Sequence, residues 1–545
     1  MKIKFIGATK GVTGSCTLLH HEESNTKMLV DCGGYVEGKN SQWVNAQDFP
    51  FNPKELKFVF LTHAHFDHCG LLPKLYKDGF VGSVYCTRAT GELAKLILHD
   101  SQKHSLVYDE SDVNKIRFFY IDDDSRFGWG KQVCLADSLR VSFIRSSHIL
   151  GAAGVQINWG FTSSSVGKNI QFSGDIGSNS EKNTYLPLMK SNHFPFPDTD
   201  YLVVESTYGG RNREARYKSA TERRLKLKEI VENIIFKNDG KLMIPAFAMH
   251  RAQEIFIDLF YVLENMIDVD QMARYLSTRI GYNKAEFRVV FDSPMMSNIA
   301  NVYSSELFRR TKSEKNQYLQ ESLEEEIPKL QELIEKQYYK FSRFEGVIFT
   351  KSKYKTNTNR EREVKQSSII VASGGMCETG PILEYMDMLE GCEKNAIIFT
   401  GFLSSNSRGR QILNGSDDKF KAQVFDMAPF YSGHADEQDI LEYVFDLGGR
   451  EQNNSTYIFI NHGTVEGKTA LTESILTKNK VLDKSQRHVQ GVYSLMGDET
   501  WFDLDKGAFE KVPGELAFAE VGGLINKIYS LEHKIDLLLS NLKIG

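Results

Sequence analysis

Three imidazoles and a carboxylate, His63, His65, Asp67 and His68, fall within six residues in the run Thr62-His63-Ala64-His65-Phe66-Asp67-His68-Cys69-Gly70. Imidazole nitrogen and carboxylate oxygen are good ligands for zinc and related divalent cations. The run follows Phe58-Val59-Phe60-Leu61, an apolar stretch that reads as a buried strand. On an irregular loop after a strand, alternate residues need not diverge. His63 and His65 can then serve one ion while Asp67 and His68 turn towards a second. Structural zinc usually recruits thiolates, whereas a His and Asp set more often leaves a position open for water, as catalysis requires.

Such a loop needs rigid strand ends to hold it. Strands are expected over 3–6, 16–20, 28–31 and 58–62, then over 141–145, 155–159, 170–173 and 201–205, with helices over 71–77 and 91–99. The texture changes near Gly209. Helical periodicity runs through 219–236 and 251–266, and a long charged helical pattern over 314–341 is broken at Pro328. Strands interleave at 241–244, 288–291, 368–372 and 396–400, and from about Phe425 the short-strand style returns. The class is α/β, with one domain interrupted by another. Residues 1–208 and 421–512 are expected to form the two parts of the first, 209–420 the inserted domain and 513–545 a helical tail.

The 545 residues are 41% hydrophobic and 25% charged, which excludes a disordered, collagen-like or coiled-coil chain. The net charge is −5, so any site for a polyanion must come from local patches or from metal. Residues 209–228 hold eight Lys/Arg against two Glu, and 351–365 six against two. Solvated surface and a rim for a phosphate backbone are both open readings of these runs. Seven scattered cysteines without a C-x-x-C pair indicate neither a disulfide framework nor a zinc ribbon, and fit a reducing, cytoplasmic setting. The first residues lack a signal-peptide pattern and no apolar run reaches about 18 residues, so no membrane span is expected. In the tail, Val521, Leu524, Ile528, Leu531, Ile535, Leu538 and Leu542 alternate spacings of three and four. That seam predicts a homodimer through a helix at 515–543, with docking on the chain's own body as the alternative.

The His/Asp loop resembles the signature of the metallo-β-lactamase fold. Leu29-Val30-Asp31-Cys32-Gly33 resembles its strand-end aspartate motif, Ser147-His148 its third motif and Ser173-Gly174-Asp175 its fourth. Val203-Val204-Glu205-Ser206-Thr207-Tyr208-Gly209 resembles motif A of the β-CASP nucleases, Ser432-Gly433-His434-Ala435-Asp436 motif B and Asn461-His462-Gly463 motif C. Pro245-Ala246-Phe247-Ala248-Met249-His250-Arg251-Ala252-Gln253-Glu254, Asp292-Ser293-Pro294-Met295 and Ala372-Ser373-Gly374-Gly375-Met376 match segments of their inserted domain. The resemblance spans roughly residues 1–480 and is to the cleavage-and-polyadenylation endonuclease and its prokaryotic relatives. There are two departures: His250 stands where the family often has glycine, and Thr464 where glutamate often follows motif C.

The resemblance implies a metallo-β-lactamase αββα sandwich interrupted by an α/β β-CASP domain, and two Zn2+ per chain. His63, His65 and His148 would hold one ion and Asp67, His68 and a later histidine, His462, the other. Asp175 would bridge, and Asp31 would orient the ligand loop. A pair of ions about 3.5–4 Å apart suits in-line hydrolysis of a phosphodiester. By the same resemblance Asp67 serves catalysis as a ligand, His434 is the general acid and Glu205 fixes its tautomer and raises its pKa. Ser373, Gly374 and Arg251 are candidates for substrate contact, with a plain tight turn the equal alternative at Ser373-Gly374. A motif C histidine accompanies RNA substrates in the family, so a ribonuclease acting on single-stranded RNA is expected. Endonucleolytic and 5′-exonucleolytic cleavage both stay open. A DNA nuclease of the same fold and a non-catalytic RNA-binding subunit are the alternatives.

Overall fold

The computed structural model describes residues 1–510 apart from 37–39, 125–127, 137, 163–166, 181–182, 191–198, 279–286, 308, 310–317, 320–326, 342–346, 353–356, 446–455, 483–488 and 498–499. The helix expected at 515–543, and the homodimer with it, lie outside the described residues.

Three sheets carry the fold. The first has eight strands, in spatial order Ala508–Phe509, Phe502–Asp503, Lys2–Phe5, Thr17–His21, Thr26–Val30, Leu56–Phe60, Ser83–Cys86 and Phe118–Tyr120. The second has seven: Val489–Ser494, Thr456–Ile460, Tyr201–Val204, Lys168–Phe172, Ala153–Trp159, Leu139–Arg145 and Val133–Ala136. These two face each other across a dry layer of Ile3, Leu19, Phe60, Val155, Ile157, Ile170 and Phe459, all fully buried. Each such side chain contributes about 1.5–3 kcal/mol of transfer free energy. Helices cover the outer faces, Leu72–Lys77 and Arg88–Ser101 on the first sheet, Glu437–Phe445 and Val465–Val481 on the second. This is the αββα sandwich.

The third sheet is built entirely from residues between the two stretches that make the second. Its order is Tyr338–Lys340, Val347–Lys351, Phe287–Asp292, Ile369–Ser373, Leu242–Ala246, Ala396–Phe399 and Gln423–Asp426, all parallel except the first edge strand. Parallel strands are buried on both faces, which is why these read as near-continuous apolar runs. Ala220–Val231 and Arg251–Tyr261 pack on one face, and Ile382–Leu389 with Arg408–Leu413 on the other. The chain then returns through Thr456–Ile460 to the second sheet and through Phe502–Asp503 to the first.

One expectation is corrected. Among the described residues, the charged pattern over 314–341 does not stay helical to its end, and 318–319 are not helical. A helix among these residues covers Ile327–Lys336, with Pro328 within it. Tyr338–Lys340 is the antiparallel edge strand, pairing with Val347–Lys351.

Candidate metal centre

The site lies at one edge of the sandwich, because the strands that feed it run the same way. Thr26–Val30 and Leu56–Phe60 are parallel, as are Lys168–Phe172, Tyr201–Val204 and Thr456–Ile460. Leu139–Arg145 joins them in direction through two antiparallel pairings. The next residues off these C-terminal ends are Asp31, His63-Ala64-His65, Asp175, Glu205, His462 and His148. Backbone bonds pin the short helix Phe66–Cys69 that carries Asp67 and His68: Cys32 N donates to His68 O, Ser15 N to Asp67 O and Gly34 N to Phe66 O. A Cβ at Gly33 would lie 1.6 Å from Asp67 O, so the close approach requires glycine there.

Two donor clusters hold the ligand-loop side chains, and a third grouping sets Glu205 beside Asp175 and His462. In the first, His63 Nε2 and His148 Nε2 lie 3.0 and 3.1 Å from His65 Nδ1, and 3.5 and 3.6 Å from Asp175 Oδ2. In the second, His68 Nε2 lies 3.2 Å from His462 Nε2, 3.4 Å from Asp175 Oδ1 and 4.0 Å from Asp67 Oδ2, with His462 Nε2 3.4 Å from Asp67 Oδ2. A tetrahedral ion with ligands at 2.0–2.1 Å has ligand–ligand edges of about 3.3–3.4 Å. The donor spacings fit that figure, and Asp175 offers one oxygen to each cluster.

The surrounding hydrogen bonds say which ring nitrogens are bare. Thr62 N and Oγ1 donate to Asp31, at 2.8 and 2.9 Å, and His68 Nδ1 donates to Asp31 Oδ2 at 2.7 Å. With the Thr62 hydroxyl proton spent on Asp31, His63 Nδ1 donates to Thr62 Oγ1 at 3.1 Å. His148 Nδ1 donates to Gly433 O at 2.8 Å. These bonds leave the Nε2 lone pairs of His63, His68 and His148 pointing into the centre. Asp175 Oδ1 is buried, and no hydrogen bond reaches it among the described residues. Converging lone pairs and an orphaned carboxylate oxygen are explained by cations, so the residues present fit metal ions.

The electrostatics agree. Burial and the neighbouring imidazoles hold His63 and His148 well below their ordinary pKa; burial likewise brings His65 down to about 4. They are neutral donors. For Asp175 burial works towards the neutral acid, but His462, His68 and His63 outweigh it and keep the carboxylate ionised. His68 differs: Asp175 and Asp31 overcome burial and raise it, so with no ion bound these carboxylates favour a proton on the ring, which a metal ion would have to displace.

His434 stands beside this centre. Its ring is 4.5 Å from that of His148, and its Nδ1 is 3.1 Å from Glu205 Oε2. Burial would lower its pKa, but the Glu205 charge and hydrogen bond bring it to about 10. Glu205 also accepts from Ile176 N, which fixes the carboxylate.

Comparison with known proteins accords with this arrangement. The metallo-beta-lactamase superfamily profile matches residues 9–145 and the Beta-Casp domain profile residues 257–412. The chain belongs to the metallo-beta-lactamase superfamily and carries its Beta-Casp domain. It is 28% identical to the transcription termination factor FttA of Methanococcus maripaludis over 82% of this chain and 64% of that protein. It is 29% identical to ribonuclease TTHA0252 of Thermus thermophilus over 82% of this chain and 90% of that protein. It spans 64% of the FttA of Methanocaldococcus jannaschii as well.

A cleft of about 600 Å³ runs from the metal centre between the sandwich and the Beta-Casp domain. His65, Asp67, His148 and His434 line it from one side; Phe247, Arg251, Phe402 and Arg410 line it from the other. Arg251 is therefore brought to the centre, ion-paired to Glu254 and close to Gly433. Ser373 ends its strand and Gly374, at φ +112°, makes the tight turn after it; neither is among the residues lining the cleft. Part of the basic runs is spent on ion pairs within the protein, while Arg211 and Arg216 are exposed. Arg213 and Lys218 pair with Asp436, Arg223 and Arg224 with Asp258, and Arg360 with Asp292 and Glu384. Sequence reading missed the orienting groups Thr62, Thr207 and Gly433 O. Only a hydroxyl residue directly before the ligand loop hinted at the first.

Proposed function

We propose that this chain is a ribonuclease that hydrolyses phosphodiester bonds of single-stranded RNA with two zinc ions. The observation that carries the reading is the pair of donor clusters that meet at the two oxygens of Asp175, with the His434–Glu205 pair beside them on an open cleft. The ribonuclease named among the relatives supports RNA as the substrate. Bound at these clusters, the two ions would acidify water and polarise a phosphoryl oxygen.

The chain's own residues do the rest. Glu205 holds His434 Nδ1, so the second ring nitrogen is the one free to donate. As the P–O bond to the leaving 3′ oxygen breaks, that oxygen takes the His434 proton, and the imidazole becomes neutral. A transfer of this kind contributes about 10²–10⁴-fold. Arg251, held by Glu254, presents its guanidinium to a phosphate in the cleft. Asp31 keeps His68 aimed, and Thr207 Oγ1, 3.3 Å from His462 Nδ1, does the same for His462.

Incubation with end-labelled single-stranded RNA and a matched DNA strand, with and without chelator, tests the reading. RNA should be cut, chelator should stop it and zinc should restore it. Asp67→Ala should lose more than about 100-fold in rate along with metal content. His434→Ala should lose about 10²–10⁴-fold while keeping its metal. Undiminished cutting by the Asp67 variant, or by metal-free protein, would sink the two-ion model.

A further inference from the structure

We propose that Phe247 and Phe402 form a stacking platform for an unpaired nucleobase of the strand lying in the cleft, an inference that rests on the ribonuclease reading above. Exposed aromatic side chains are few. Among the described residues the large ones are Trp43, Phe119, Phe247, Tyr338 and Phe402, and two of these five line the cleft that opens on the metal centre. Phe402 is 57% exposed and Phe247 37%.

The Phe247 ring and the backbone that carries Phe402 are both held in place. Phe247 lies between two glycines: a Cβ on Gly401 would sit 3.0 Å, and one on Gly375 3.2 Å, from its ring. Any larger residue at either position would press on the aromatic face. Gly401 directly precedes Phe402, and Phe247, Gly401 and Phe402 all line the cleft. The residue after Phe402 is fixed as well, because Leu403 is buried and its carbonyl accepts from Arg410 Nη2 at 2.9 Å. The flanking charge suits a phosphate backbone. Arg211, Arg251 and Arg410 line the same cleft, and Arg211 is exposed. Cations for the backbone beside rigid aromatics for the bases is the arrangement that holds a single strand with little regard to sequence. A paired strand has its bases buried in the duplex and cannot use it, so the platform selects unpaired RNA.

Equilibrium binding tests this. The zinc-loaded protein with His434→Ala, which slows turnover, is titrated with a labelled single-stranded RNA and with the same strand carrying abasic positions. Phe402→Ala on that background should bind the RNA about 5- to 150-fold more weakly, the span expected for losing one stacked base. It should bind the abasic strand as its parent does, and Phe402→Trp should restore RNA binding. Phe402 is a surface residue, so these changes leave the fold intact, and unchanged zinc content checks it. Equal RNA binding by Phe402→Ala and its parent, or an equal loss on the abasic strand, overturns the platform. Base-dependent binding in a protein that never cuts RNA would support the platform while refuting the ribonuclease reading.

Discussion

His250 sits in a conformation that an L side chain seldom adopts. Its φ is +67° and ψ −52°, and Arg251 N donates to Met249 O at 2.8 Å, so Met249-His250-Arg251 is a γ-turn of the rare, strained hand. Glycine would adopt it freely, which explains why glycine is the common residue there in proteins this chain resembles. The side chain compensates. Nδ1 lies 2.8 Å from the buried Tyr303 hydroxyl, and Nε2 is 3.4 Å from Glu254, the partner of Arg251. Two variants separate backbone strain from these contacts. His250→Gly and His250→Ala both lose the imidazole, but only alanine keeps a Cβ at positive φ. Denaturant unfolding should find the glycine variant more stable than the alanine variant by about 1 kcal/mol. Equal stabilities would show that the turn carries no strain.

At the scale of elements, one lysine ties three segments behind the metal centre. Lys468 is fully buried near the start of the helix Val465–Val481. Its Nζ donates to Ala8 O, Thr9 O and Leu495 O at 3.1, 2.6 and 3.0 Å. The same Ala8 carbonyl accepts from His462 N at 3.1 Å. Lys468→Met should cost about 2–4 kcal/mol, because buried carbonyls lose charge-assisted donors. It should also weaken metal binding about 10- to 100-fold through the loosened His462 loop, read by competition with a chelator. Full stability with normal metal affinity would refute the tie. Nothing in the sequence marks Lys468, since a lysine on a mixed helix reads as surface. His63, His65, Asp67 and His68 stand out because four donors share one short loop. An α/β class with one domain interrupted by another was legible because buried strands leave apolar runs of the right length, whereas the αββα layering came from the motif resemblance. The stretch at 314–341 was misread because charge periodicity carries no sign of where a chain stops being helical and pairs as an edge strand.

Across the whole molecule, a fully buried ion pair fastens the Beta-Casp domain to the sandwich. Arg223 Nε donates to Asp258 Oδ2 at 2.5 Å and its Nη1 to Tyr185 O at 2.5 Å, while Tyr431 donates to Asp258 Oδ2 at 2.8 Å. Both charged side chains have no exposed surface. The helices of Arg223 and Asp258 thus meet a loop between two strands of the second sheet and one that precedes motif B, directly behind the cleft wall. Replacing such a pair by apolar residues is often tolerated, but removing one partner strands the other, at a cost of about 3–5 kcal/mol. Asp258→Asn should pay this at neutral pH. Burial pushes the Asp258 carboxyl up, yet Arg223 outweighs it and holds the group below the usual carboxylate range. A carboxylate whose folded pKa is depressed stabilises the fold in full above its unfolded value of about 4. That contribution fades as pH falls below this value and through the folded one. The stability gap between parent and Asp258→Asn, measured by urea unfolding, should therefore be wide at neutral pH and narrow in acid. A gap that does not change with pH would mean that the ionised Asp258 is not what joins the two bodies.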